Sequence, residues 1–138
     1  GDPETQVVLP LLKTDLLTVM QAVENRTLGD LKVEWHDGAA ACVILASGGY
    51  PSHYEKGKVI TFPASLPENV TVYHAGDKLT ESGELVTNGG RVLGVTASAP
   101  TLKEALKDAY AAAATIHFEG AYMRHDIGRR ALAALEER

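Results

Sequence analysis

The spacing of hydrophobic positions divides the chain into three stretches. Residues 4–12 are apolar enough for a short helix, in which Pro10 is tolerable only in a first turn or at a kink. After a break near Lys13, Thr14 is placed to cap a second helix, DLLTVMQAVEN, with Leu16, Met20 and Val23 on one face and Thr18, Gln21 and Glu24 toward water. The middle stretch is extended. LKVEWH and AAACVILAS are rich in β-branched and apolar residues, and Asp37-Gly38 between them predicts a two-residue hairpin. GKVI, VTVYHA, ELVT and RVLGVTAS follow, separated by Gly, Pro, Asn and Ser, which predicts a small curled antiparallel sheet of about five to seven strands. From Thr101 the period becomes helical. Leu102, Ala105, Leu106, Ala109, Tyr110, Ala113 and Ile116 recur on one face, and Thr101 with Glu104 reads as a capping box. A last helix, IGRRALAALEER, ends the chain. The expected class is α+β: a small antiparallel sheet or partial barrel packed on C-terminal helices, with a helical N-terminal lead-in.

Composition narrows the function more than the fold. At 138 residues and 45% hydrophobic content, the chain suits one globular domain with a core, plus a tail. A formal net charge of -5 argues against a general nucleic-acid or acidic-lipid binder, so any anion site must be local. Cys42 is the single cysteine and lies in an apolar run, which removes any disulfide framework and suits a reducing cytoplasm. No apolar stretch approaches the roughly 20 residues that span a bilayer.

Motifs for chemistry are sparse. His36, His53, His74, His117 and His125 show no paired ligand spacing, and one cysteine cannot anchor a zinc site, so no metal is expected in this chain. There is no G-x-S-x-G elbow, Walker A loop or dinucleotide fingerprint. On the residues alone, the reading stops at a soluble α+β domain.

Five stretches go further. GDPETQ at 1–6, GGYP at 48–51, HAG at 74–76, TNGGRVLGVTA at 87–97 and RHDIGRRA at 124–131 resemble, in order and in register, the C-terminal region of the glycinamide ribonucleotide synthetases. The resemblance covers essentially the whole chain. It implies an ATP-grasp ligase of purine biosynthesis, which activates the carboxylate of glycine as an acyl phosphate for attack by the amine of phosphoribosylamine. It also implies that ATP and Mg2+ (or Mn2+) are held upstream, in domains this chain lacks. The chain then reads as beginning just after the metal-binding strand, with residues 1–25 as the helical tail of the ATP-grasp domain and 26–138 as a C-terminal domain similar to a rudimentary single-hybrid motif. No catalytic residue is expected here, and the isolated chain is expected to be inactive. Two alternatives stand beside this reading: a hybrid-motif domain of another ATP-grasp ligase, and a non-catalytic binding module.

The resemblance also implies a set of substrate-binding residues: Gly1, Asp2, Pro3, Glu4, Lys78, Gly90 and Arg91. Gly1 permits close backbone approach, Pro3 fixes the turn, and the free N–H groups that start the next helix can face an anion. Glu4 can meet a substrate amine or simply favour the helix start, where Asp2 or Thr5 can cap. Gly90 leaves room beside Arg91, whose planar fork suits the ribose phosphate, and Lys78 adds a point charge. Each has a structural alternative. Asn88-Gly89 predicts a type I′ hairpin, Lys78 reads equally as a surface lysine, and Arg91 as an ion pair with Asp77 or Glu84. Arg124 and Asp126 read as a tie for the last helix. Two positions depart from the family pattern: Asp77 where Thr often follows HAG, and Ser52-His53 where Gly-Asp commonly follows GGYP. The expected partners are the remaining domains of the same enzyme, met through an apolar face of Val7, Val8, Leu9, Leu11 and Leu12, with self-association as the alternative.

Overall fold

RVLGVTAS does not alternate apolar with polar residues, the mark of a strand buried on both faces. It forms the central strand, β5 (Arg91–Ala99), in the computed structural model, which describes residues 1–137. β1 (Ala39–Ala46) and β2 (Val70–His74) flank β5 in a three-stranded antiparallel sheet of order β1-β5-β2. Val95 stands opposite Val43 on one side and Val72 on the other. A separate antiparallel pair, β3 (Asp77–Leu79) with β4 (Leu85–Thr87), completes an α+β fold whose sheets are not closed into a barrel.

Helix α3 (Leu102–Ala113) covers one face of the larger sheet. Its small residues Ala109, Ala112 and Ala113 allow close approach to Val43, Leu45, Leu93 and Val95, and Ile116 and Phe118 close the end of this core. Thr101 caps the helix as expected: its hydroxyl accepts from the Glu104 N–H at 3.2 Å, and the Glu104 carboxylate turns back to accept from that hydroxyl at 2.8 Å rather than from the Thr101 main-chain N–H. Helix α4 (Arg129–Glu136) follows Gly128, at φ 78°, where any Cβ would strike Leu106.

Both expected hairpins are absent. Asp37-Gly38 does not fold residues 31–36 onto β1. The main-chain N–H of His36 instead donates to Leu11 and those of Lys13 and Thr14 to Glu34, so this segment pairs with residues 11–14 while β1 takes β5. Asn88-Gly89, which links β4 to β5, likewise does not fold the two into a hairpin. β4 pairs with β3, and Gly89 lies against the backbone of Gly76.

The N-terminal segment forms α1 (Thr5–Val8), a 3-10 turn (Leu9–Leu11) that carries Pro10 near its start, and α2 (Leu16–Glu24). Asp15, not Thr14, caps α2 by accepting from the Thr18 N–H at 2.8 Å, while Thr14 bonds the Glu34 N–H. The face of Leu16, Met20 and Val23 is not buried. Only Ala22 of α2 is, and Leu17, Met20 and Val23 are each more than half exposed, because no element of the described residues packs over them. The apolar surface at 7–12 is smaller than expected. Val8 and Leu9 are exposed, but Leu11 and Leu12 are half-buried where residues 31–36 pair with them.

Candidate functional site

The register of β1 and β5 breaks at one point: Leu45 faces Leu93, but Ala46 faces Arg91, leaving Val92 as an extra residue. A bulge of this kind turns a strand and re-aims the neighbouring side chain. On its other edge β5 continues the β2 ladder past His74. Val92 accepts from the N–H groups of both Ala75 and Gly76 at 3.1 Å, and the Gly76 carbonyl accepts from the Asn88 N–H at 2.7 Å. Ser47 holds the other side, its N–H on the Gly90 carbonyl and its hydroxyl on that of Gly89, both at 2.8 Å. HAG, NGGR and the residue before GGYP, far apart in sequence, are thus one hydrogen-bonded junction.

The glycines here serve close approach. A Cβ on Gly76 would stand 2.4 Å from the Arg91 carbonyl oxygen, and one on Gly90 only 2.1 Å from Tyr50 Cδ2. The Tyr50 ring therefore lies directly on the Gly90 backbone. Beside it opens a cleft of about 460 Å3, lined by Pro3, Tyr50, Pro51, Arg91, Tyr122 and Arg124, among others. Pro3 and Pro51 both follow cis peptide bonds.

Loop 1–6 reaches this cleft from the opposite end of the sequence. Arg91 Nη2 donates to Asp2 Oδ2 at 3.1 Å, and both side chains remain close to half exposed. This is the guanidinium's one side-chain hydrogen bond among the described residues, so its other N–H groups stay available for a planar oxyanion. Asp2 Oδ1 accepts from Gln6 Nε2 at 3.3 Å. Glu4 is itself the N-cap residue of α1, and its side chain makes no capping hydrogen bond.

Arg91 pairs with neither Asp77 nor Glu84, the partners its sequence neighbourhood suggests. The Asp77 carboxylate is nearly buried and turned onto His74 Nδ1, and Glu84 accepts from Ser82. Lys78 is exposed on β3 and is not part of the cleft wall. The structure thus joins Asp2, Pro3, Gly90 and Arg91 and leaves Lys78 apart.

Three cleft residues carried little or no sequence signal. Tyr50 sits in GGYP, where its side chain is not distinguished from the turn around it. Tyr122 had no signal. Arg124 reads as a structural ion pair, and its pairing with Asp126 is present, with Nε to Oδ1 at 2.8 Å. That hydrogen bond, aided by the charges, holds the Asp126 carboxyl below its usual range and raises Arg124. The segment is pinned by Tyr110, whose hydroxyl donates to the Arg124 carbonyl at 2.8 Å and accepts from the Ile127 N–H at 3.0 Å.

Among the described residues no group of three or more His, Cys, Asp or Glu side chains is arranged to hold a metal ion. No helix there is long and apolar enough to cross a membrane.

Comparison with known proteins follows the same residues. Residues 40–130 match the family described as phosphoribosylglycinamide synthetase, C domain. The chain is 53% identical to the phosphoribosylamine-glycine ligase of Chlorobaculum tepidum, over 96% of this chain and 31% of that protein. It is 50% identical to the trifunctional purine biosynthetic protein adenosine-3 of Gallus gallus, over 99% of this chain and 14% of that one. The crystal structure of phosphoribosylamine-glycine ligase from Thermotoga maritima superposes with a TM-score of 0.70 at 40% identity, covering 91% of this chain and 30% of its own. The chain thus spans about a third, or less, of the proteins it matches. With the bulged β5 and the junction glycines lying inside the matched region, the chain belongs to the phosphoribosylglycinamide synthetase C-domain family.

Proposed function

We propose that this chain is the C-terminal part of a phosphoribosylamine-glycine ligase and forms one wall of its substrate site. The full enzyme would transfer the terminal phosphoryl group of ATP to the glycine carboxylate. The amine of phosphoribosylamine would then attack the acyl phosphate, releasing inorganic phosphate and glycinamide ribonucleotide. Among the described residues no three or more His, Cys, Asp or Glu side chains are grouped to hold a metal ion; ATP and Mg2+ (or Mn2+) would be held by the other domains of the full enzyme. Such a soluble enzyme would work in the cytoplasm.

One observation carries the reading. The β5 bulge lies beside Arg91, which has most of its guanidinium N–H groups unengaged and lines a 460 Å3 cleft together with Pro3 of the N-terminal loop. Arg91 would take the ribose phosphate through its fork, with Gly90 allowing Tyr50 to close the floor. Gly1, Asp2, Pro3 and Glu4 would face the reacting end of the substrate, and Lys78 would add long-range attraction from β3. A charge-assisted contact contributes about 1.5 to 3 kcal/mol, well short of the ~5.5 kcal/mol of a 0.1 mM affinity. The isolated chain should therefore bind substrate feebly, and the contact should count fully only in the complete enzyme.

Residues 1–25 would belong with the preceding ATP-grasp domain, and 26–138 would form the C domain proper. The uncovered face of α2 supports this division, since Leu17, Met20 and Val23 would rest on that domain.

A second reading of Arg91 is favoured by its 3.1 Å contact with Asp2: an anchor that holds loop 1–6 on the sheet. Kinetics of the full-length enzyme with Arg91→Ala separate the two. A rise of about tenfold or more in the KM for phosphoribosylamine, equivalent to about 1.4 kcal/mol, supports the phosphate role. Unchanged kinetics with lowered thermal stability would leave only the anchor.

A further inference from the structure

Gln6 occupies a place where an amide is hard to justify by packing. Its side chain lies across the sheet face opposite α3, with Cγ 3.9 Å from the point where a Cβ of Gly94 would stand, a spot that Cys42 and Ile44 crowd from the other side. Its Oε1 is buried and has no hydrogen-bond partner among the described residues. A desolvated, unpaired acceptor destabilises a fold, and an apolar side chain of the same length would fill this site without that cost. What the amide adds is its other end: Nε2 donates to Asp2 Oδ1 at 3.3 Å, while Asp2 Oδ2 accepts from Arg91 at 3.1 Å. The two oxygens of one carboxylate are therefore held by two different elements, α1 and β5. Without the Gln6 contact the Asp2 carboxylate could rotate about its last bond and carry the Arg91 fork with it.

We infer that Gln6 is a positioning residue: its amide N–H fixes the Asp2 carboxylate, and through it sets the direction in which the Arg91 guanidinium meets the substrate phosphate. This rests on the phosphate role proposed above for Arg91. An orienting contact of this type acts on substrate binding rather than on the chemical step, and it leaves fold stability free to move the other way.

The test uses the full-length enzyme with Gln6→Met, which keeps length and apolar volume but removes the donor. The KM for phosphoribosylamine should rise about fivefold to tenfold, with kcat and the KM values for glycine and ATP within about twofold. The melting temperature should stay level or increase, because the unpaired acceptor is gone. Gln6→Glu, nearly isosteric but with a second carboxylate facing Asp2, should raise the same KM further. With Arg91→Ala in the background, Gln6→Met should change the KM by less than about twofold, since nothing is left to orient. An unchanged KM in Gln6→Met and Gln6→Glu, or an equal rise with and without Arg91, would overturn the inference while leaving the role of Arg91 standing. If Arg91→Ala alone has no effect on KM, the phosphate role itself fails, and the positioning role is refuted with it.

Discussion

Replacing Gly76 by alanine should break the junction on which the site is built. The added Cβ would lie 2.4 Å from the Arg91 carbonyl oxygen and 2.8 Å from Gly89 Cα. Ordinary contact begins near 3.4 Å, so the two backbones must part by about 1 Å, and no side chain can rotate away to spare them. Overpacking of this kind costs about 1 to 3 kcal/mol. The separation also stretches the Gly76 N–H to Val92 bond, now 3.1 Å, and the Asn88 N–H to Gly76 bond, now 2.7 Å. At about 1 kcal/mol each, their loss brings the expected destabilisation to about 3 to 5 kcal/mol. Urea unfolding followed by circular dichroism reads this directly. With a slope of about 2 kcal/mol per molar, the midpoint should fall by about 1.5 to 2.5 M. Gly29→Ala is the control, because a Cβ there meets nothing within 4 Å and the backbone is not left-handed, so it should be neutral or stabilise by about 0.4 to 1 kcal/mol. A loss below about 1 kcal/mol for Gly76→Ala would show that the HAG and NGGR backbones are not in contact.

Tyr110→Phe should cost about 1 to 2 kcal/mol, because one hydroxyl serves both the Arg124 carbonyl and the Ile127 N–H, and hydrogen exchange at Ile127 should speed up with it. Cys42 should react slowly with a thiol reagent at pH 8 in the folded chain and rapidly after unfolding: burial raises its pKa and so suppresses the thiolate, and fast labelling of folded protein would contradict that. The Asp126 carboxyl, held low by Arg124, stabilises the 124–126 turn above its unfolded pKa and loses that effect as pH falls through the lower folded value. Acid titration by NMR should accordingly place Asp126 below an unstructured aspartate, and Arg124→Ala should abolish the difference.

Local structure was legible in this sequence, and long-range pairing was not. Thr101 and Glu104 marked the start of α3 because a capping box is complete within four residues. Pro10, expected in a first turn or at a kink of the helix over 4–12, sits near the start of the 3-10 turn that follows α1. Asp37-Gly38 and Asn88-Gly89 misled for the opposite reason. A turn dipeptide states what the backbone can do, whereas burial decides which strands pair, and Val92, Leu93 and Val95 need cover on both faces and both edges. RVLGVTAS was legible as an extended piece, but nothing local marked it as the central strand or named β1 and β2 as its neighbours.

The candidate site was half legible in the same sense. The glycines of HAG and NGGR stood out as motifs, yet their mutual contact appears only when the two loops are folded together. The Asp2 to Arg91 contact joins residues 89 positions apart, so the nearer acids Asp77 and Glu84 looked like the better partners. Gln6 stood out only as the last residue of GDPETQ and not for a role, since its unpaired oxygen exists only once the sheet buries it.

The position of the product's phosphate is the most direct measure of whether this domain forms a wall of the substrate site. In a crystal structure of the full-length enzyme with glycinamide ribonucleotide, a phosphate oxygen should lie about 2.7 to 3.0 Å from the Arg91 guanidinium, within the cleft that Tyr50 and loop 1–6 enclose. A phosphate held elsewhere, with Arg91 still engaged by Asp2 alone, would contradict the account.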